Sequence, residues 1–146
     1  MALNILKLCV GSDSIEDLAA WQRGRLAHAR KTTGKARVFH TTRMVPKRQD
    51  EVLDGGSLYW VIKGIIQVRQ RIIGFEPGNK EDGTPCVLIM LDPVLVTVRP
   101  TPRRAFQGWR YLTTDDAPVD LTGAAARTTR AMPPKLRKDL ADLGLL

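Results

Sequence analysis

Apolar and polar positions along the chain alternate, cluster and break in a way that places most of its elements. The run Leu3-Asn4-Ile5-Leu6-Lys7-Leu8-Cys9-Val10 predicts a first β-strand, which Gly11-Ser12-Asp13 ends. Asp13-Ser14-Ile15-Glu16 sets a capping residue three positions before an acid, the pattern of a helix start. Ile15, Leu18, Ala19, Gln22, Leu26 and Ala29 then follow helical spacing. The acids Glu16 and Asp17 come first and Arg23, Arg25, Arg30 and Lys31 last, an order that complements the helix dipole. Gly34 closes this helix.

Arg37-Val38-Phe39-His40-Thr41-Thr42-Arg43 is β-branched and aromatic and predicts a second strand. Pro46 opens a helical turn over Lys47 to Leu53, and Asp54-Gly55-Gly56 ends it. Ser57 to Ile62 is strongly β-forming. Lys63-Gly64 fits a tight turn or a glycine bulge. Ile65 to Phe75 predicts a strand with Ile66, Val68, Gln70 and Ile72 on one face. Gln67, Arg69, Arg71 and Ile73 form a second, basic face open to solvent or a ligand. Pro77 to Thr84 is a hairpin loop by composition, Cys86 to Leu91 a strand buried on both faces, and Val94 to Val98 another strand. Pro100 and Pro102 make a stiff connection into the segment Arg103 to Leu112. Pro133-Pro134 starts a last helix with Leu136, Leu140 and Leu143 on one side, and Gly144 ends it.

Strands clustered in the middle of the chain, rather than alternating with helices, predict an α+β fold. The expected architecture is a single domain over residues 1–146. It has a mixed or mostly antiparallel curved sheet, or a partly closed barrel, flanked by an N-terminal and a C-terminal helix. Its core spans 1–112, an irregular surface stretch 113–132, and the closing helix 133–144.

Composition sharpens this picture. With 146 residues and 43% apolar content, the chain can build a buried core without disulfides. Cys9 and Cys86 define no disulfide framework and are expected as free thiols. Lys7 interrupts the amino-terminal apolar run, which therefore reads as a strand rather than a secretory signal, and no window reaches the length of a membrane span. The expected compartment is the cytoplasm, with no membrane association.

The 23 Lys and Arg against 15 Asp and Glu give a net charge of +8, and all of it belongs to residues 1–112. It lies in acid-free blocks, from Arg23 to Arg48, from Gly55 to Phe75 and from Pro93 to Thr114. Most of the cations after Thr33 are Arg, whose planar fork suits phosphates and base stacking. Tyr59, Trp60, Trp109 and Tyr111 lie in or beside the same blocks. Cations interleaved with rings are what a single-stranded nucleic-acid site needs. The competing reading is a solvated basic face over an aromatic core. Trp21 reads as helix-face packing.

Catalytic and metal motifs are missing from the sequence. Of the two histidines, His28 reads as a surface residue. His40 ends a strand beside Thr41, Thr42 and Arg43 and is a weak candidate acid or base. Gly55-Gly56-Ser57 lacks the context of a phosphate loop, and no zinc-ligand spacing occurs.

Four strings together resemble one family: Phe39 to Arg48, Asp54 to Gly64, Val68 to Arg71 and Pro102 to Leu112. The chain resembles, over nearly its whole length, an uncharacterised family of short alphaproteobacterial proteins grouped as a domain of unknown function. That resemblance implies a bacterial cytosolic protein and brings no activity. A weaker, architectural similarity links the strand–helix opening and strand cluster to PUA-like barrels, whose relatives bind RNA or modified nucleobases.

The leading expectation is thus a non-enzymatic protein that binds RNA or single-stranded nucleic acid, without cofactor or metal. Arg43, Lys47, Arg48, Lys63, Arg69, Arg71, Arg103, Arg104 and Arg110 would neutralise phosphates, and Trp60 or Trp109 would stack a base. A second reading is a small enzyme or binding protein for a phosphorylated or nucleoside-like molecule, with His40, Thr42, Arg43 and Lys63 converging on it. A third is an adaptor that holds an acidic protein partner against the basic face.

Overall fold

The first apolar run forms the parallel heart of a mixed sheet. A computed structural model describes residues 3–9, 11–33, 38–80, 82–104 and 106–146, with backbone alone for 28–33. In chain order its elements are β1 (Leu3–Leu8), α1 (Ile15–Thr33), β2 (Val38–Thr42), α2 (Gln49–Leu53), β3 (Ser57–Ile62) and β4 (Ile65–Asn79). They continue with β5 (Pro85–Leu91), β6 (Val96–Pro102), β7 (Trp109–Thr113), α3 (Gly123–Ala131) and α4 (Pro134–Asp142). The sheet order is β2-β5-β4-β3-β1-β7, with β6 also paired to β4. Among the described residues only β1 and β3 run parallel; the other pairings are antiparallel. The fold is α+β in one small domain, and the sheet is open, with β2 and β7 at the ends of the order.

The long strand β4 makes the curvature. Its register shifts opposite β3, β6 and β5, and its two halves serve different neighbours. One shift, between Ile66 and Val68, separates residues that strict alternation puts together: Ile66 joins one apolar cluster, Val68 and Ile72 the other. The bend carries β2 round until His40 meets Trp60 of β3 edge-on, with ring centroids 5.2 Å apart. At the β3–β4 turn, Lys63 and Gly64 both have positive φ (53° and 77°), the backbone of a tight hairpin whose twist matches the strands.

One face of the sheet holds the larger core. Leu3, Ile5, Leu58, Trp60, Ile62, Val68, Ile72 and Trp109 pack there with Ile15 and Leu18 of α1 and Val52 of α2. Truncating a fully buried aliphatic such as Ile5 to Ala should cost about 2–5 kcal/mol. α1 presents Ile15, Leu18 and Gln22 inward, with Ala19 and Leu26 half-buried; the side chain of Ala29 lies outside the described residues. Its cap sits one residue later than the sequence pattern suggests. Ser14 Oγ accepts from Asp17 N at 3.1 Å, and Asp17 Oδ2 accepts from Asp13 N at 3.1 Å. Gly56 admits no side chain: a Cβ there would lie 2.1 Å from the Leu3 carbonyl oxygen and 2.4 Å from that of Val52.

The opposite face, built on Leu6, Tyr59, Val61, Ile66, Val98 and Leu112, lies under the C-terminal segment, from which Ala117 packs against it. Two expectations change here. Residues 113–132 are not irregular throughout, because Gly123–Ala131 is helical. In α4 the leucine stripe does not face inward: Leu143 is 72% exposed, whereas Arg137 and Ala141 are buried. The helix is turned by about one residue because Arg137 finds four acceptors inside, the side chain of Gln67 and the carbonyls of Thr129, Arg130 and Met132. Gly144 ends the helix as expected, with φ 72°.

Candidate functional site

The basic segments meet around β7. Arg103, Arg104 and Arg110 line one open depression with Pro102, Phe106 and Tyr111. Arg110 lies over the Phe106 ring at 5.5 Å and is held by the carbonyls of Gln107 and Trp109. The loop after β2 reaches the same strand. Tyr111 Oη accepts from the backbone N–H groups of Lys47 (3.0 Å) and Arg48 (3.1 Å), and Trp109 Nε1 donates to the Met44 carbonyl at 3.0 Å. Phe106 and Tyr111 remain partly open.

The nine cations singled out from the sequence therefore do not form one set. Lys47, Arg103, Arg104 and Arg110 gather about β7, and Arg43, exposed, opens the loop that packs there. Arg48 stacks over Tyr111 at 5.5 Å, but its guanidinium is paired with Glu51, which raises its pKa and lowers that of the carboxyl. Lys63 forms a surface ion pair with Asp13 at 3.2 Å; Arg103, the residue whose N–H bonds the Gly64 carbonyl, is close by in the chain path. Arg69, half-buried, is committed to the fold. Its guanidinium bonds both oxygens of Asp120 at 2.7 and 2.6 Å and Ser57 Oγ at 3.0 Å. Arg71 is exposed on the part of β4 that faces Ser57, away from the β3–β4 turn. The basic face expected on β4 is thus covered in part: Gln67 and Arg69 hold the C-terminal segment, whereas Arg71 and Ile73 stay exposed. Of the block from Arg23 to Arg48, the side chains of Arg30, Lys31, Lys35 and Arg37 lie outside the described residues, as does that of His28.

Trp60 and Trp109 are not stacking platforms. They are 3% and 5% exposed, with Trp60 Nε1 bonded to Gln70 Oε1 at 2.8 Å. Alternation places both rings on the core face of their strands, where burial is worth more than exposure. The rings available near the cations are Tyr111, one of the aromatics interleaved with the basic blocks, and Phe106, which the sequence pattern does not single out. The signal for Phe106 is a lone aromatic in a stretch with no other large apolar residue, Arg103-Arg104-Ala105-Phe106-Gln107-Gly108.

His40 does not gather Thr42, Arg43 and Lys63 around it. Thr42 is buried on β2, while Arg43 and Lys63 are exposed. Instead His40 lines a pocket of ≈ 220 Å³ with Lys7, Leu8, Cys9, Gly11, Ser12, Leu18, Trp21 and Trp60. Its Nε2 is buried and has no hydrogen-bond partner among the described residues. Burial, helped by the positive fields of Lys7 and Arg25, lowers its pKa to about 4. The imidazole is therefore neutral near pH 7. Burial lowers the pKa of Lys7 and raises that of Cys9, partly offset by a hydrogen bond from Ser12. Cys9 and Cys86 are free thiols.

Among the described residues no group of three His, Cys, Asp or Glu is placed to hold a metal ion. No described helix is long and apolar enough to cross a membrane. Residues 5–146 match the family described as "Protein of unknown function (DUF1489)". No curated protein and no solved structure matches the chain.

Proposed function

We propose that this chain, which belongs to the DUF1489 family, binds single-stranded nucleic acid, RNA in the first instance, along its β7 edge. The observation that carries the reading is the depression in which Arg103, Arg104 and Arg110 surround Phe106 and Tyr111. Phosphates need cations that are not already neutralised, and bases need a ring face; this depression offers both. Lys47, anchored through its backbone to Tyr111, extends the positive surface to the other side of the strand.

The assembly follows from local sequence. Pro100 and Pro102 hold the approach to β7 extended. Gly108, with φ 69°, turns the chain back so that Trp109 enters the core and Arg110 leaves it. Arg103 is anchored by its N–H to the Gly64 carbonyl and Arg110 by the pairing of β7 with β1, which limits the backbone ordering lost on binding.

The test is fluorescence anisotropy of a labelled oligouridylate against the full chain over a range of salt concentrations. Binding should be measurable at low salt and fall steeply as salt rises. No binding at low salt would sink the reading, as would binding that survives replacement of all three arginines by Ala. Retention of an acidic protein after nuclease treatment, with no affinity for the oligonucleotide, would favour the adaptor reading in its place.

A further inference from the structure

We propose that the pocket between the end of β1, the start of α1 and His40 is a binding site for a small planar organic anion, one ring carrying a single carboxylate. It is distinct from the β7 depression and does not depend on nucleic-acid binding.

The charge comes first. Lys7 stands on the core face of β1, with Trp60 and Trp109 as its cross-strand neighbours. Its ammonium has only a long contact, 3.5 Å to the Gly108 carbonyl, so donors remain for a ligand. Among the described residues no carboxylate lines the pocket, and Asp13 is paired with Lys63 outside it. Arg25 adds a second positive field near His40 from its place over the rings of Trp21 and Phe39, 4.9 Å from each centroid. A half-buried ammonium with no ion pair among the described residues, in a partly apolar cleft, selects an anion. The apolar walls disfavour a phosphate, whose remaining charged oxygens would be left without donors there.

Shape and polarity narrow the rest. Leu8, Leu18, Trp21 and Trp60 wall the cleft, which favours a flat apolar body. At ≈ 220 Å³ it is smaller than the roughly 300–1,000 Å³ of sites for drug-sized ligands, so a single ring fits and a nucleotide does not. The neutral imidazole of His40 borders the cleft as a polar edge, and Ser12 adds a hydroxyl at the mouth. Burial is the larger cause of the lowered His40 pKa and the Lys7 field adds to it; an anion beside Lys7 offsets that added part, so ligand and proton should bind cooperatively.

The experiment titrates benzoate, inorganic phosphate and neutral benzyl alcohol separately into the full chain at pH 7. It follows the His40 ring-proton resonance and tryptophan fluorescence. Benzoate should shift the His40 resonance saturably and raise its titration midpoint, with affinity about tenfold or more above that of benzyl alcohol. Lys7→Met should weaken benzoate by at least about tenfold and, without ligand, raise the His40 midpoint. Because Lys7 is half-buried, Trp21→Ala provides a second variant: Trp21 is 46% exposed, and its loss should weaken benzoate while leaving the fold intact. The proposal is overturned if benzoate leaves His40 unmoved, if phosphate binds more tightly than benzoate, or if a folded Lys7→Met chain binds benzoate as well as the wild type.

Discussion

Arg137 Nη1 donates to Gln67 Oε1 at 2.5 Å, across 70 positions of sequence, with the arginine 1% exposed. The same guanidinium bonds the carbonyls of Thr129 (3.0 Å), Arg130 (3.0 Å) and Met132 (3.1 Å). One side chain thereby ties α4 to the end of α3 and both to the sheet. Replacing it with Met fills part of the space but leaves Gln67 Oε1 and several carbonyls without donors. The expected loss is about 3 kcal/mol in urea denaturation. Arg137→Lys should recover little of it, since a single ammonium cannot span the forked acceptors. A loss below about 1 kcal/mol for Arg137→Met would show that water replaces these bonds.

Arg137 also marks where sequence reading stops. The i, i+4, i+7 leucines of the last helix made an apolar stripe, and helical periodicity alone cannot see that a charged residue one position on has four buried acceptors waiting. The strands at Leu3–Leu8, Ser57–Ile62 and Pro85–Leu91 were legible because their buried positions are almost all apolar. The faces of β4 were not, because a register shift swaps the side on which a residue emerges and leaves no compositional mark. At the candidate site the cations were visible from their acid-free blocks. Which of them the fold neutralises was not: Asp120, the partner of Arg69, lies 51 residues away.

The amides of Gln22 and Gln70 bond each other reciprocally inside the core. Gln22 Nε2 donates to Gln70 Oε1 at 2.8 Å and Gln70 Nε2 to Gln22 Oε1 at 2.9 Å. Gln70 Oε1 also accepts from Trp60, and its Nε2 donates to the Asp92 carbonyl at 3.1 Å. The pair locks α1 onto β4. Gln70→Leu orphans Gln22, Trp60 Nε1 and the Asp92 carbonyl and should cost about 2–4 kcal/mol. Gln22→Leu should cost less, because Gln70 keeps its other partners. The double variant should lose at least about 1 kcal/mol less than the sum of the singles. Additive losses in chemical denaturation would contradict the coupling.

His40 makes stability pH-dependent with a definite sign. Its native pKa, about 4, lies below the ordinary 6.5, so the unfolded chain takes up the proton first as pH falls. Its neutral form contributes fully above pH 6.5, and that contribution is withdrawn as pH falls from 6.5 to 4, by up to about 3 kcal/mol. Lys7 and Arg25, which face the ring, oppose its protonation throughout this range. His40→Gln removes this dependence. The stability gap between wild type and variant should therefore be larger at pH 7.5 than at pH 4.5, in the wild type's favour. Parallel stability profiles for the two proteins would contradict the neutral buried imidazole.

Arg110 and Arg69 separate a binding surface from a structural charge. Both fall in acid-free basic blocks of the sequence, yet Arg69 spends its donors on Asp120 and Ser57, whereas Arg110 lies exposed over Phe106. If the β7 depression holds phosphates, Arg110→Ala should weaken oligouridylate binding nearly equally for all sequences. It should also reduce the slope of log affinity against log salt by about 0.7, the share of one phosphate on a single strand. Replacing Arg103, Arg104 and Arg110 together should reduce the slope by about 2. Arg69→Ala should leave the slope unchanged and instead loosen the C-terminal segment, seen as faster amide exchange at Asp120 and Leu121, whose neighbourhood is held to β6 by backbone bonds. Phe106→Ala should weaken binding without changing the slope, since a stacked ring carries no charge. A slope that responds to Arg69 as strongly as to Arg110 would mean that net charge, rather than the β7 depression, attracts the polyanion.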